Sequence, residues 1–136
     1  AIAASKLALT TASALLGGDV TMTNANTYYD GPSVNLGSVG TWFVVAGITI
    51  NHATGTNQAI GAKLWDGTTV AASGGMESAF AGTSETITLG AIVVLAGATT
   101  MKISGVSSNA ASIIKAALTN NGAGNNASFI QAVRIG

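Results

Sequence analysis

The sequence contains no cysteine. That absence excludes disulfide staples, thiolate zinc sites and cysteine nucleophiles together. Charge is nearly as scarce: five basic and five acidic residues make up 7% of the chain, against roughly 25% in a typical soluble domain. The two signs cancel, so nothing points to electrostatic binding of nucleic acid or of an anionic membrane. A surface with so little charge self-associates unless it is covered. The composition therefore predicts a protein partner, first of all further copies of the same chain. No apolar run reaches the ~18 residues of a membrane-spanning helix.

Groups that carry chemistry are equally few. His52 is the single histidine and falls in the polar turn Asn51-His52-Ala53-Thr54-Gly55 with no carboxylate beside it in sequence, so neither a nucleophilic triad nor a histidine metal site assembles around it. Asp19, Asp30, Asp66 and Glu77 lie in or beside turns, where Asp in particular fixes the backbone. A glycosidase pair such as Asp66 with Glu77 finds no support beyond the freedom of carboxylates to meet in space. A calcium loop around Asp30 lacks the dense D-x-D-x-D pattern. Gly17-Gly18, Gly74-Gly75 and Gly122 to Gly124 lack the lysine and helix of a phosphate loop and read as turns. The expectation is a protein with no catalytic residues, no cofactor and no metal.

What the sequence has is strands. Gly40 to Ile50, GTWFVVAGITI, opens on glycine, is dense in aromatic and β-branched residues and closes on a polar turn. Alternation puts Trp42, Val44, Ala46, Ile48 and Ile50 on one face and Thr41, Phe43, Val45, Gly47 and Thr49 on the other. The first face is wholly apolar, and the second is mixed, as for a strand with a core on one side and a partial neighbour on the other. Ala59 to Asp66 places Ile60, Ala62 and Leu64 inward and Lys63 and Trp65 outward. Asp66-Gly67 turns it into Thr69 to Ala72. Ser84 to Leu89 carries Ile87 and Leu89 inward, Ala91 to Leu95 reads as buried on both sides, and Thr99 to Val106 has Met101 and Ile103 inward. Asp19 to Thr23, Ser33 to Leu36, Ser112 to Leu118 and Ser128 to Ile135 complete the set, with loops at 24–32, 76–84 and 120–126. The predicted core is Trp42, Val44, Ile48, Ile50, Leu64, Ile87, Leu89 and Ile103.

Eight to ten short strands spaced by Gly, Asn and Asp turns make an all-β, jelly-roll-like antiparallel β-sandwich over residues 19–136. Residues 1–18, small, apolar and closed by Gly17-Gly18, read as an N-terminal arm with Ile2, Leu7 and Leu9 free to be buried on a partner. They lack the basic start and cleavage site of a signal peptide, so loss of an initiator Met is the preferred account of Ala1. Tyr28, Tyr29 and Trp65 join these residues as candidate interface positions, either stacking on a sugar ring or buried between subunits.

The run DVTMTNANTYYDGPSVNLGSVGTWFVVAGITI, then AKLWDGTTVAASG, then SETITLGAIVVLAGATTMKISGVSS and the closing SFIQAVRIG, resembles small tailed-phage virion proteins and head-fibre or tail-fibre domains. The resemblance spans Asp19 to Gly136 and rests on structural motifs. It implies a jelly-roll-like sandwich assembled as a homotrimer on a virion, put together in the host cytoplasm. Two functions follow. One is a capsid decoration or head-fibre subunit attached to the major capsid protein or another virion protein. The other is a tail-fibre receptor-binding domain contacting host polysaccharide. No fibrous shaft precedes the domain in this sequence, which ranks decoration first.

Overall fold

The computed structural model describes residues 9–52, 57–78, 82–118 and 124–136. They form ten strands: β1 (Thr11–Leu15), β2 (Val20–Met22), β3 (Tyr29–Leu36), β4 (Gly40–Asn51), β5 (Gln58–Trp65), β6 (Val70–Ser78), β7 (Ser84–Leu95), β8 (Thr99–Ser107), β9 (Ser112–Ile114) and β10 (Phe129–Arg134). Two antiparallel sheets result. Sheet B has four strands in the order β3-β8-β5-β6, and sheet A has six, arranged around β4. The fold is a jelly-roll β-sandwich.

β4 pairs with β7 along its whole length, Gly40 opposite Leu95 through Asn51 opposite Ser84. Its other flank is shared end to end by β10 and β9, with β1 outside β10 and β2 outside β9. The chain leaves this flank after Lys115 and returns at Ser128. The neck is tied where Ala127 N–H donates to Ala116 O (3.0 Å) and Ser128 Oγ to Lys115 O (2.8 Å). Asp19 pins it from the side, accepting from Lys115 Nζ and from Ala116 N–H.

The core lies between the sheets because each strand alternates. Trp42, Val44, Ala46, Ile48 and Ile50 of β4 are buried, as are Ile60, Ala62 and Leu64 of β5, Met101 and Ile103 of β8 and Ile87 of β7. Each large aliphatic side chain so removed from water contributes about 1.5–3 kcal/mol. Trp42 keeps its polar atom satisfied by donating Nε1–H to Ser38 O at 3.2 Å. Leu89 is half-buried and packs against the rim of the core.

Several expectations need correction. Thr11–Leu15, assigned to a free arm, are paired with β10, and Leu16 is buried. Residues 1–8, with Ile2 and Leu7, lie outside the described residues. Ala91 to Leu95 is not buried on both sides: it continues β7 without a break, with Ile92 and Val94 open to solvent. Gly74-Gly75 lies inside β6, paired with Ala62 and Gly61, and glycine is needed at 75 because a Cβ there would come within 2.7 Å of Ile60 O on the neighbouring strand. The strand begun at Ser112 ends at Ile114, and Tyr29 already belongs to β3.

Candidate functional site

The outer face of sheet B gathers charge and aromatic rings. Lys63 on β5 and Lys102 on β8 point outward on either side of Trp65, whose register partner is Lys102. Lys63 Nζ stands 3.5 Å from the centre of the Trp65 ring and 4.2 Å from that of Tyr28, and Lys102 Nζ lies 4.9 Å from Trp65. Trp65 Nε1–H donates to Ser104 Oγ (2.8 Å), and that hydroxyl donates to Asp30 Oδ1 (2.7 Å). Lys102 closes the ring on Asp30 Oδ2 at 2.8 Å. Burial pushes the Asp30 carboxyl up, but the Lys102 and Ser104 hydrogen bonds outweigh it and hold the group below its ordinary value. Two predicted interface residues, Tyr28 and Trp65, therefore meet here, and the lysines already occupy their π-faces.

Tyr29 does not join them. Its hydroxyl bonds Thr23 Oγ1 and accepts from Asn24 N–H, both at 2.9 Å, and pins the turn between β2 and β3. The Thr23 bond is the largest influence on the phenol and holds it below its ordinary value. Leu9, ahead of β1, is exposed.

The outer face of sheet A is chemically opposite. Its outward positions are Thr11, Ser13 and Leu15 on β1; Phe129, Gln131 and Val133 on β10; Thr41, Phe43, Val45, Gly47 and Thr49 on β4; and Thr86, Thr88, Gly90, Ile92 and Val94 on β7. None is charged. Phe43 sits between Val133 and Ile92 in register, one apolar row across three strands. Phe43 is 42% exposed, Ile92 65% and Val94 79%. Beside them a groove of about 400 Å³ runs between β1 and β4, floored by Val45, Gln131 and Val133. At the far end the same face is closed: Thr49 is buried, bonded to Thr86 Oγ1 (2.6 Å) and to Ala127 O on the returning loop.

Sequence reasoning placed Phe43 and Val45 on a half-covered face but missed Ile92 and Val94. The alternation Thr86, Thr88, Gly90, Ile92, Val94 carries the signal once Gly90 is read as part of the strand instead of its end.

His52 also departs from expectation. It is buried, its N–H donates to Thr83 O (2.9 Å), and its ring faces a carboxylate, with Nε2 3.6 Å from Glu85 Oε2. Nδ1 lies 3.0 Å from Gln58 Oε1, which also accepts from Ser112 Oγ at 3.2 Å. The carboxylate that the sequence does not place beside His52 arrives through pairing of β7 with β4. The histidine belongs to a buried polar cluster at one end of the sandwich.

No family model matches the chain, and a search of curated proteins gives no match. Solved structures do match in fold. An Eiger TNF from S. frugiperda superimposes with a TM-score of 0.62 at 10% identity, over 94% of this chain and 93% of the other. Murine APRIL gives 0.57 at 8% identity, over 94% and 100%. A chain of the T13 particle of the virus IBDV gives 0.57 at 10% identity, over 93% of this chain but 31% of the viral one. At these identities the likeness is one of fold, and the chain spans about a third of the viral chain it matches.

Proposed function

We propose that this chain is a non-enzymatic structural subunit of a virion that assembles as a homotrimer, turning the outer face of sheet A onto its copies and the outer face of sheet B to solvent. The observation that carries the proposal is the contrast between those faces. Asp30, Lys63, Lys102 and Glu77 lie on sheet B and its edges, whereas the outward positions of β1, β10, β4 and β7 in sheet A hold Phe43, Val45, Ile92, Val94 and Val133 without a charge, the Lys115–Asp19 pair lying at the far end. Apolar patches rimmed by polar residues mark protein interfaces, and depletion of charge at the centre is the compositional mark of an interface core. The resemblance to phage virion proteins and the shared fold with a viral particle chain support the virion setting. The major capsid protein or another virion protein is the further partner.

A receptor-binding role through stacked sugars draws less support, since Lys63 already stands over the rings of both Tyr28 and Trp65.

Light scattering on the purified chain should give a mass near three subunits. Phe43→Lys, which puts a charge in the middle of the apolar row, should reduce it to one subunit without loss of the β-sheet circular dichroism. A wild-type monomer at micromolar concentration overturns the reading. Co-sedimentation with intact particles tests the virion setting separately.

A further inference from the structure

The hydrogen-bond parity of sheet A leaves the edges at β7 and β1 open. Arg134 N–H donates to Thr10 O (2.9 Å) and Leu16 N–H to Ser128 O (3.2 Å). With the register of β1 on β10, even-numbered residues of β1 therefore bond inward, and the N–H and C=O of Thr11, Ser13 and Leu15 point away from the sheet. On β4, Thr41 O and Thr49 O accept from Ile135 and Lys115 on one flank, while His52 bonds Thr83 on the other. Even-numbered residues of β4 thus bond β7. The backbone groups of Thr86, Thr88, Gly90, Ile92 and Val94 are left at the free edge of the longest pairing in the fold. Among the described residues no strand pairs with either edge.

Exposed edges are templates for strand addition, and folded proteins blunt them with charge, proline or bulges. Sheet B does so. Its edge strand β3 carries Asp30, Pro32 and a register shift between Asp30 and Ser33, and its other edge strand, β6, carries Glu77 and meets β5 across a second shift at Leu64. The β7 and β1 edges of sheet A have no charge on the free edge, no proline and no register shift. β7 pairs without a register shift, has no proline, and its single charged residue, Glu85, is turned toward His52. β1 is TASAL, with neither charge nor proline.

We infer that these edges are built to meet: β7 of one copy adds to β1 of the next, so that sheet A continues from subunit to subunit. The directions agree. Across β7, β4, β10 and β1 each neighbour is antiparallel, so β1 and β7 run in opposite senses. A rotation about an axis along the strands brings them together antiparallel. The contact is heterologous, β7 to β1, and so is not a two-fold pair: with a third of a turn per copy it closes as the trimer ring, and with a rotation that does not close it would run on as a filament. It also sets the apolar rows of successive copies side by side. The inference rests on the trimer proposed above and names the backbone contact within it.

Proline tests it, because at positions 88 and 13 the N–H faces the free edge and its loss leaves the internal ladder whole. Thr88→Pro and Ser13→Pro should each lower the light-scattering mass from three subunits to one with β-sheet circular dichroism retained. Thr86→Pro and Thr11→Pro, which remove the neighbouring edge-facing N–H groups, should do likewise and decide the matter if a first proline variant does not fold. Trimers that persist in folded proline variants of both edges overturn the edge contact and leave the face contact standing, provided Phe43→Lys still dissociates them. Dissociation by the β7 variants with no effect from the β1 variants assigns the β7 edge to a different partner strand and also overturns the inference. A wild-type monomer removes both.

Discussion

His52 Nε2 lies 3.6 Å from Glu85 Oε2, both atoms are buried, and neither has a hydrogen-bond partner among the described residues. Gln58 Oε1 accepts from Ser112, so the nitrogen facing it, Nδ1, is the one that carries hydrogen. In the neutral ring Nε2 is then a bare acceptor aimed at a second acceptor. Buried groups left in this way cost about 1–3 kcal/mol. Glu85→Gln supplies an amide N–H to Nε2 and removes the conflict, so it should stabilise the fold by about 1 kcal/mol. Thermal unfolding at neutral pH checks the sign. A lower melting temperature for Glu85→Gln would show that the carboxylate, not the amide, suits this histidine.

Gly47 is required by a ring. A Cβ there would meet Phe129 Cε1 at 2.5 Å, with two further ring carbons at 3.0 and 3.2 Å. Phe129 lies across this position on the outer face of sheet A. Gly47→Ala should therefore cost about 1–3 kcal/mol as an overpacking change, and Gly47→Ala combined with Phe129→Leu should recover part of it. Denaturant midpoints of the two variants measure the difference. If Gly47→Ala alone leaves the midpoint unchanged, Phe129 is not held where the structure puts it.

Acid should loosen the turns before it opens the core. Asp19 is held below the usual carboxylate range by Lys115 first and then by Ala116 N–H, and Asp66 by the backbone N–H groups of Thr69 and Thr68. Asp30 is lowered in net by Lys102 and Ser104 against its burial. A carboxyl with a lowered folded value contributes stability above the unfolded value, about 3.9, and loses it as pH falls through the folded one. The chain should thus melt at a constant temperature down to about pH 4 and at progressively lower temperature below it. Asp19→Asn should flatten part of that decline. A melting temperature independent of pH between 5 and 2 would rule out these three carboxylates as acid-sensitive ties.

Strand existence was legible wherever alternation was strict. Trp42, Val44, Ile48 and Ile50 could be set on one face of β4 because a period of two over eleven residues has few other readings. Glycine hid more. Gly90 and Gly74-Gly75 read as breaks in a one-dimensional pattern, yet each sits in a ladder where a neighbouring strand supports extended backbone, and at Gly75 the close approach of Ile60 O demands its small size. β1 was invisible for a different reason. Its inward residues are Ala12 and Ala14, which give almost no periodic contrast, and its partner β10 lies more than a hundred residues away in the chain. The meeting of His52 with Glu85 is likewise a product of pairing, which no local pattern encodes.

The interrupted flank of β4 makes residues 115–128 a cassette. Because Ala116 with Ala127 and Lys115 with Ser128 close the detour at its base, and Asp19 clamps it from outside, the ladder does not register what the detour contains. Among the described residues between the two alanines, Asn125 donates Nδ2–H to Gly17 O at 3.1 Å and fastens the detour to the link between β1 and β2. A peptide grafted above this base would leave the core beneath undisturbed.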